Sequence, residues 1–306
     1  MKEEYNLKNI RQDFKAKGIF YTPEELALYL KSLFPNAENI KEIYDPTCGS
    51  GNLLSVFDDD VIKYGQDIDT KQIEIAKKRL KNFYGEAGDT LKNPQFMGKK
   101  FDFIVANYPF SVKWEPLTED ERFKIAPTIP TAGKADYAFI LHILYYLSEK
   151  GIAVTLNFPG ILYRGNREGK IRKWIVDNNY IEKVIHIEGN MFVDTKIATC
   201  VIVFNKAKQN KEILFINGEK QRSVSIEEIA KNNYNLSVST YIFEEQIKEN
   251  IDPLVLEMEA RKFFLQNLSG SLQRSKMIYE LEGDEAFALQ PFLEQIKSIV
   301  KEFETA

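Results

Sequence analysis

The sequence predicts an α/β fold with a mostly parallel sheet and helices on both faces. Three observations predict it. Short runs rich in β-branched residues alternate with longer segments of helical spacing between residues 40 and 216. The run 101–106 (FDFIVA) is typical of a strand buried on both faces. The first run ends in a glycine turn, and ligands commonly bind beside such turns in open α/β sheets.

The strands and helices can be assigned in order along the chain. The predicted strands are 40–44, 61–64, 101–106, 151–156, 184–187, 199–205 and 213–216. A further strand is expected just before residues 88–90. Residues 69–84 have helical spacing with Asp69 as a candidate N-cap. Residues 136–147 are a largely apolar helix, with Gly151 beyond its end as a stop.

The two ends of the chain differ from its middle. We predict an N-terminal helical segment at 1–20, a main α/β domain at 21–220 and a mostly helical region at 221–306. Beyond Gly218 the sheet pattern fades. The helices predicted there are 225–232, 251–267 and 284–303. The longest irregular segment is 114–133, and long loops in compact domains are often functional.

Composition limits the function classes. The 306 residues include 41 Lys and Arg against 45 Asp and Glu, a net charge of −4, whereas proteins that bind DNA unaided usually carry a basic surplus. A hydrophobic fraction of 44% argues against a disordered chain. With two His and two distant Cys we expect no metal site. No apolar stretch spans a bilayer and no signal sequence is present, so we expect a cytoplasmic protein without membrane contact.

Three polar motifs follow predicted strands in the first half of the chain. Residues 45–51 (DPTCGSG) pass from a strand end into a Gly-x-Gly turn, which lets the backbone approach a ligand closely. Asp67 follows the next strand, where a carboxylate can bind ribose hydroxyls, whereas Asp69 is expected mainly to cap a helix. Asp89, in 88–90 (GDT), could accept an adenine amino group. Taken singly, each motif could also be an ordinary turn.

The fourth motif, 107–110 (NYPF), directly follows the apolar run 101–106. The side-chain oxygen of Asn107 and the next main-chain carbonyl can both accept hydrogens from one exocyclic amino group. These bonds would limit delocalisation of the nitrogen lone pair into a purine ring and make the nitrogen more nucleophilic. Phe110 can stack on the base. A plain proline turn is the alternative when this motif is considered alone.

In this order, the four motifs resemble those of class I S-adenosylmethionine-dependent methyltransferases, a Rossmann-like fold, and specifically the DNA adenine-N6 group. The sequence is most similar to the modification subunit of type I restriction-modification systems. The resemblance covers roughly residues 18–240. Longer blocks that also agree are 18–23 (GIFYTP), 101–107 (FDFIVAN), 135–139 (ADYAF), 158–165 (FPGILYRG), 170–173 (KIRK) and 195–206.

The resemblance implies S-adenosylmethionine as the cofactor. The residues it assigns to the cofactor site are Tyr21, Thr22, Pro23, Asp45, Thr47, Gly49, Gly51, Asp67, Ile68, Asp89, Thr90 and Asn107. By this analogy, segment 21–23 closes over the methionine end and the 45–51 turn holds the amino-acid part. Asp67 would take the ribose hydroxyls and Asp89 the adenine amine. Residues 135–139 would add a wall to the pocket, with Asp136 and Tyr137 its most polar members.

The implied reaction is direct transfer of a sulfonium methyl group to adenine N6 in DNA, without a metal or a covalent enzyme intermediate. The residues assigned to the flipped target adenine are Asn107, Tyr108, Pro109 and Phe110. Flipping is required because N6 is engaged in base pairing within the duplex. The basic residues Arg164, Arg167, Lys170, Arg172 and Lys173 would contact phosphates, or would otherwise form a solvated helix face.

The implied partners are DNA, a separate DNA-specificity subunit that reads the bases and, in systems that contain one, a restriction subunit. Segments 251–264 and 287–303 would dock the specificity subunit, or would otherwise pack on the catalytic domain at 21–220. The helical domain that precedes the 18–23 block in the family is expected to be missing or supplied by another chain. Alone, this acidic chain is expected to bind DNA poorly.

Two alternatives remain open, and a departure from the family motif is the basis of the first. Tyr108 stands where the family has the first of two prolines, so it lacks a fixed φ and is expected to add bulk at the pocket. A weakened or inactive cofactor-binding partner subunit is therefore one alternative. A protein glutamine N-methyltransferase, which uses a similar Asn-Pro-Pro-Tyr loop, is the other, although blocks 135–139 and 158–173 favour the DNA group.

Overall fold

The protein is described from a computed structural model, which covers residues 22–189, 198–242 and 253–282, together with Glu294 and Lys297. The chain divides into two compact units, Met1–Glu244 and Glu245–Ala306. The helix expected before Thr22 and almost all of the helix expected at 284–303 lie outside the described residues. No helix in the described ranges combines the length and the apolar character needed to cross a membrane.

The first unit is built on one sheet in the order β3-β2-β1-β4-β5-β7-β6-β8-β9. Its strands are β1 (Glu42–Asp45), β2 (Ile62–Asp67), β3 (Phe83–Ala87), β4 (Phe101–Ala106), β5 (Leu147–Asn157), β6 (Ile181–Ile187), β7 (Thr199–Asn205), β8 (Glu212–Asn217) and β9 (Lys220–Ser225). Strands β1 to β5 are parallel, and β7 lies antiparallel between β5 and β6. The outer pair β8–β9 is antiparallel. The predicted α/β fold with a mostly parallel sheet is confirmed.

Helices cover both faces of this sheet. The helices of the first unit are α1 (Glu24–Ser32), α2 (Thr70–Arg79), α3 (Glu121–Lys124), α4 (Asp136–Tyr146), α5 (Asn166–Asp177), α6 (Ile226–Lys231) and α7 (Val238–Tyr241). The second unit contains α8 (Pro253–Glu282). Asp69 caps α2 by accepting a hydrogen bond from Lys71 N, as predicted. Ser225 caps α6 in the same way through Glu228 N.

The alternation of side chains along each strand divides the core into two clusters. Ile104 of β4 lies in the cluster that also contains the buried faces of α4 and α5. The next residue, Val105, lies in the cluster that contains the buried faces of α1 and α2. Because successive strand residues point to opposite faces, a strand covered on both sides must be apolar at consecutive positions. This requirement explains the run FDFIVA.

The helix predicted at 69–84 is wrong in its last part. Helix α2 ends at Arg79, Leu80 is already extended, and Asn82 has a φ of 49°. The following residues form β3, where Tyr84 stacks on Tyr64 of β2 with ring centroids 5.3 Å apart. The aromatic residues at the end of the helical pattern therefore lie in a strand, because pairing with β2 places their side chains beside those of that strand.

Two further expectations about strands are wrong. Gly151 does not stop α4, because β5 begins at Leu147 and contains Gly151. A Cβ at Gly151 would lie 2.7 Å from the Leu147 side chain, so the glycine is needed for packing. The sheet also continues past Gly218, whose φ of 57° makes the turn into β9. Strand β9 is an edge strand with mostly exposed polar residues, which hid it from the apolar pattern.

Candidate functional site

The predicted motifs lie at one edge of the sheet. Strands β3, β2, β1 and β4 are parallel neighbours, so their carboxyl ends lie side by side. Asp45 ends β1, Asp67 ends β2, Asp89 follows β3 by two residues and Asn107 directly follows β4. The carboxyl edge of an open α/β sheet is where ligands bind. The structure therefore brings together the four motifs that the sequence separates by up to 62 residues.

Asp67 holds the glycine turn in place. Its Oδ2 accepts a hydrogen bond from Gly49 N at 2.8 Å, and its Oδ1 accepts one from Asp69 N at 2.9 Å. Burial raises the pKa of Asp67 despite these main-chain hydrogen bonds. A carboxylate oxygen has two lone pairs, so both oxygens retain capacity for a ligand's hydroxyl groups. Ile68, beside it, is 72% exposed and offers an apolar surface at the same edge.

The two glycines of the turn serve different purposes. Both have positive φ values, 51° at Gly49 and 83° at Gly51. A Cβ added at Gly49 would meet nothing within 4 Å, so this side of the turn is open to a ligand. A Cβ at Gly51 would lie 2.5 Å from the Leu80 side chain, so Gly51 allows the turn to pack closely against the end of α2.

Asp45 is buried beneath the turn, with 1% of its surface exposed. Its Oδ1 accepts a hydrogen bond from Thr47 N at 2.9 Å. Burial raises the pKa of Asp45 to about 8, and the nearby charge of Asp67 acts in the same direction. Thr47 Oγ1 is buried and has no hydrogen-bond partner among the described residues. The turn thus contains a carboxyl whose protonated form is favoured by burial, with the buried Thr47 hydroxyl beside it.

The loop after β3 is tied to the neighbouring loops. Asp89 Oδ1 accepts hydrogen bonds from Leu91 N at 2.9 Å and Lys92 N at 3.3 Å. Thr90 is buried, and its Oγ1 donates to the main-chain oxygen of Pro46. Gln66, which sequence reasoning missed, donates to Gly88 O at 3.1 Å. The tripeptide GQD gave the one signal that could have found it, since Gln66 precedes Asp67 at the strand end.

Asn107 presents an acceptor that the described part of the chain does not use. Its Nδ2 donates to Thr22 Oγ1 at 2.9 Å, and Thr22 is itself buried. Asn107 Oδ1 is buried and has no partner among the described residues. The hydrogen bond to Thr22 thus orients the amide and leaves its oxygen free to accept. Pro23 directly precedes α1, and Tyr21 lies outside the described residues.

Tyr108 points into the core. It is buried, its ring stacks on Phe139 with centroids 5.0 Å apart, and its hydroxyl donates to Asn157 Oδ1. Burial raises the pKa of this phenol well above its usual value, so it remains a donor. The expectation that Tyr108 adds bulk at the pocket is wrong, because space between α4 and β5 accepts the ring. After Pro109, Phe110 is half-buried, 6.2 Å edge-on from Tyr108.

The 135–139 block holds neighbouring loops together. Asp136 is fully buried and accepts hydrogen bonds from Ser111 N at 3.1 Å and Arg164 Nη1 at 3.4 Å. Tyr137 donates to Ile161 O at 2.8 Å. The two polar members of the expected pocket wall are therefore buried contacts within the protein. They fix the turn that follows the NYPF motif, where Ser111 has a φ of 54°.

The basic cluster expected at 164–173 is only partly available to a partner. Arg172 is buried and donates to three main-chain oxygens. Arg164 pairs with buried Asp136, so these two arginines hold the fold together. Arg167 and Lys170 remain at the exposed surface of α5. Among the described residues no group of His, Cys, Asp and Glu could hold a metal ion.

Comparison with known proteins identifies the group to which this arrangement is similar. Residues 3–223 match the N-6 DNA methylase family. The type I restriction enzyme MpnII methylase subunit of Mycoplasma pneumoniae is 31% identical over 79% of this chain and 56% of its own length. The crystal structure of a type I restriction-modification methyltransferase subunit from Streptococcus thermophilus is 29% identical, with a TM-score of 0.67, over 73% of this chain and 59% of that one.

A more distant structure supports the fold alone. A putative class I S-adenosylmethionine-dependent methyltransferase from Listeria monocytogenes is 22% identical, with a TM-score of 0.52, over 70% of this chain and 74% of that one. The chain spans about half the length of the curated relatives that it matches, between 51% and 56% for three of them.

Proposed function

This chain belongs to the N-6 DNA methylase family, and we propose that it carries the catalytic part of a site-specific DNA methyltransferase that modifies adenine at N6. The observation that carries the proposal is the buried, unpartnered Asn107 Oδ1 at the carboxyl end of β4. A buried acceptor without a partner is costly, so its presence at this edge points to a ligand's donor. The 6-amino group of adenine is such a donor.

The family and the fold imply S-adenosylmethionine as the cofactor, and the residues at the sheet edge fit it. Gly49 leaves open space on the side of the turn where another residue would have a Cβ, and the Thr47 hydroxyl is buried in the same turn. Exposed Ile68 can cover an adenine ring, while Asp67 and Asp89 can accept from ribose hydroxyls and the adenine amine. When bound, this cofactor supplies an electrophilic methyl group on a sulfonium.

The chain's own contribution is to hold the acceptor nitrogen. Asn107 Oδ1 and the main-chain carbonyl of Tyr108 would accept the two hydrogens of a flipped adenine's amino group, and Phe110 would stack on the base. The positive charge that develops on N6 during methyl transfer strengthens both hydrogen bonds. Thr22 keeps the amide in the orientation that presents its oxygen. Fixed geometry then lowers the entropic part of the barrier.

The position of Tyr108 favours an active enzyme over an inactive partner subunit. Its ring is buried against Phe139 and its hydroxyl is bonded to Asn157, so it does not fill the space beside Asn107. These contacts restrain the loop in place of the fixed φ of proline. The main-chain carbonyl needed for the second hydrogen bond is present with either residue. Membership of the N-6 DNA methylase family favours DNA over a protein glutamine as substrate.

We further propose that this chain acts in a complex in the cytoplasm. Because the net charge of the chain is −4, most contacts with DNA would be made by its partners. These partners are a DNA-specificity subunit and, where present, a restriction subunit. The second unit offers a docking element, because α8 exposes a series of large apolar side chains. These are Leu254, Val255, Met258, Phe263, Phe264, Leu265 and Met277. Exposed apolar side chains in such number are typical of an interaction surface.

The deciding experiment maps the methylated atom. The protein is mixed with its candidate specificity subunit, labelled S-adenosylmethionine and host DNA, and the labelled base is identified. We expect N6-methyladenine with the wild type, and loss of label with Asn107→Ala. Asn178→Ala, a substitution at an exposed amide on the end of α5, is the matched control and should methylate normally. Label on protein glutamine, or undiminished label with Asn107→Ala, would refute the proposal.

A further inference from the structure

The irregular segment 114–133 contains a buried arginine that the proposed reaction does not use. Within it, the short helix α3 is capped by Asp120, whose Oδ1 accepts from Arg122 N at 2.9 Å. Arg122 is 3% exposed although it is charged. Burying a guanidinium is costly unless every donor is satisfied. Its contacts therefore indicate what the segment holds in place.

All the donors of Arg122 meet acceptors. Nε donates to the carboxylate of Asp120 at 3.0 Å, and Nη2 donates to the same carboxylate at 2.6 Å. Nη2 also donates to Leu91 O at 2.5 Å. Nη1 donates to Thr90 O at 2.7 Å and to His142 Nδ1 at 2.8 Å. One side chain thus fixes two successive carbonyls of the loop after β3.

The same network reaches the end of β1. Arginine can only donate, so His142 Nδ1 accepts and its Nε2 carries the proton. That proton is directed to the Tyr44 hydroxyl, 3.2 Å away, and Tyr44 directly precedes Asp45. Burial and the charge of Arg122 lower the pKa of His142 well below its usual value, so the imidazole is neutral. The network therefore links two of the loops at the sheet edge.

We infer that Arg122 is a positioning residue that fixes the loop reading the nucleobase of the bound cofactor. Because Arg122 binds the carbonyls of Thr90 and Leu91, it fixes the conformation of the backbone next to Asp89. Leu91 N in turn donates to Asp89 Oδ1, so the carboxylate direction depends on this backbone. The inference rests on the proposed cofactor site and extends it to a residue 33 positions along the chain from Asp89.

A lysine at position 122 could not make all of these contacts. The guanidinium reaches Asp120, two carbonyls and an imidazole from three nitrogens in one plane. An ammonium has three donors on one nitrogen and cannot span them. Arg122→Lys keeps the charge but releases part of the loop, which makes it the informative substitution. Asp120→Asn is a milder second variant, because Asp120 lies partly at the surface and its amide oxygen would still cap α3.

The ratio of the dissociation constants of two compounds with different nucleobases tests this role, because a loss of stability alone would not change it. S-adenosylhomocysteine carries a 6-amino donor, whereas S-inosylhomocysteine carries a 6-oxo acceptor that would face the Asp89 carboxylate. Calorimetry with the full chain should show the wild type preferring the adenosyl compound by on the order of 100-fold in Kd. We expect Arg122→Lys to reduce this ratio by at least about tenfold, and Asp120→Asn to reduce it by several-fold.

Arg172→Lys is the matched control. Arg172 is as buried as Arg122 and also donates to main-chain carbonyls, but on the loops around α5. The Arg172→Lys variant should lose about as much thermal stability as Arg122→Lys and should keep the wild-type ratio of the two dissociation constants. Amide hydrogen exchange at Leu91 and Lys92 should accelerate with Arg122→Lys and not with Arg172→Lys. If Arg122→Lys does not fold, the comparison is made with Asp120→Asn.

The outcomes separate this inference from the proposed function. A ratio that falls with the Arg122 or Asp120 variant and persists with Arg172→Lys supports the inference. An unchanged ratio in both the Arg122 and Asp120 variants, or an equal fall with Arg172→Lys, overturns it and leaves the cofactor assignment standing. A wild type that binds both compounds equally also overturns it. A wild type that binds neither compound overturns the inference and the cofactor assignment together.

Discussion

Asp45→Asn should make the protein more stable at neutral pH, although it removes a residue at the heart of the proposed cofactor site. The carboxyl is buried beneath the glycine turn, and burial raises its pKa to about 8, against 3.8 for an ordinary aspartate. The asparagine side chain keeps an oxygen that can accept from Thr47 N. The substitution therefore removes the cost of protonating a buried carboxyl at neutral pH and preserves the local hydrogen bond.

The magnitude follows from the two protonation states. Between pH 4 and pH 8 the folded carboxyl binds a proton that the unfolded one has lost, so stability falls as pH rises. One pH unit in this window corresponds to about 1.4 kcal/mol, and the whole difference between 3.8 and about 8 to roughly 6 kcal/mol. Relative to Asp45→Asn, the wild type should lose about 3 kcal/mol between pH 5 and pH 7.

Urea unfolding at pH 5, 6, 7 and 8 measures this directly. The free energy of unfolding of Asp45→Asn minus that of the wild type should grow with each step and level off above pH 8. The exposed substitution Asp60→Asn is the control, and its curve should run parallel to that of the wild type. A constant difference across this range would show that Asp45 is ionised in the folded protein and would refute the reasoning.

The remaining predictions concern the loops around the site. Tyr108→Phe leaves buried Asn157 Oδ1 without its donor and should lower the free energy of unfolding in urea by about 1–3 kcal/mol. Tyr108→Pro should lower it by about 3–5 kcal/mol, because the whole buried ring is lost, and should not raise the methylation rate. A gain in methylation with Tyr108→Pro would contradict this. Gly49→Ala places a methyl group in the open side of the turn at a φ of 51°, so calorimetry should show weaker cofactor binding and unfolding a loss of about 1 kcal/mol. Thr22→Val removes the acceptor that orients Asn107, so single-turnover methylation should slow by on the order of tenfold, whereas Thr22→Ser should stay within about twofold. Equal rates for the two Thr22 variants would refute that role.

The sheet and the position of its motifs were accessible from sequence because both depend on local patterns. Runs buried on both faces are apolar at consecutive positions, and β4 and β7 have the bounds that this pattern predicted. Parallel strands bring their carboxyl ends to one edge, so motifs that follow successive strands must converge. No contact had to be known to place Asp67 near Gly49.

The errors arose where long-range contacts decide the outcome. Strand β3 continues the spacing of α2, and only pairing with β2 makes it a strand. Strand β9 is polar because it forms an edge, so its sequence carries no apolar signal. Arg122 contacts residues 20 and 32 positions away, and no local pattern marks a solitary arginine in an irregular segment as buried.

Tyr108 shows how one position can serve the same purpose by different physical means. A proline restrains a loop through its own fixed φ and needs no surroundings to do so. A tyrosine restrains it only if the fold supplies a stacking partner and an acceptor, here Phe139 of α4 and Asn157 of β5. Those contacts lie 31 and 49 positions along the chain, so the motif alone suggested a degraded site. The loop is restrained by contacts with the core rather than by a fixed φ of its own. Its ability to hold a target base should therefore depend on α4 and β5 as much as on residues 107–110.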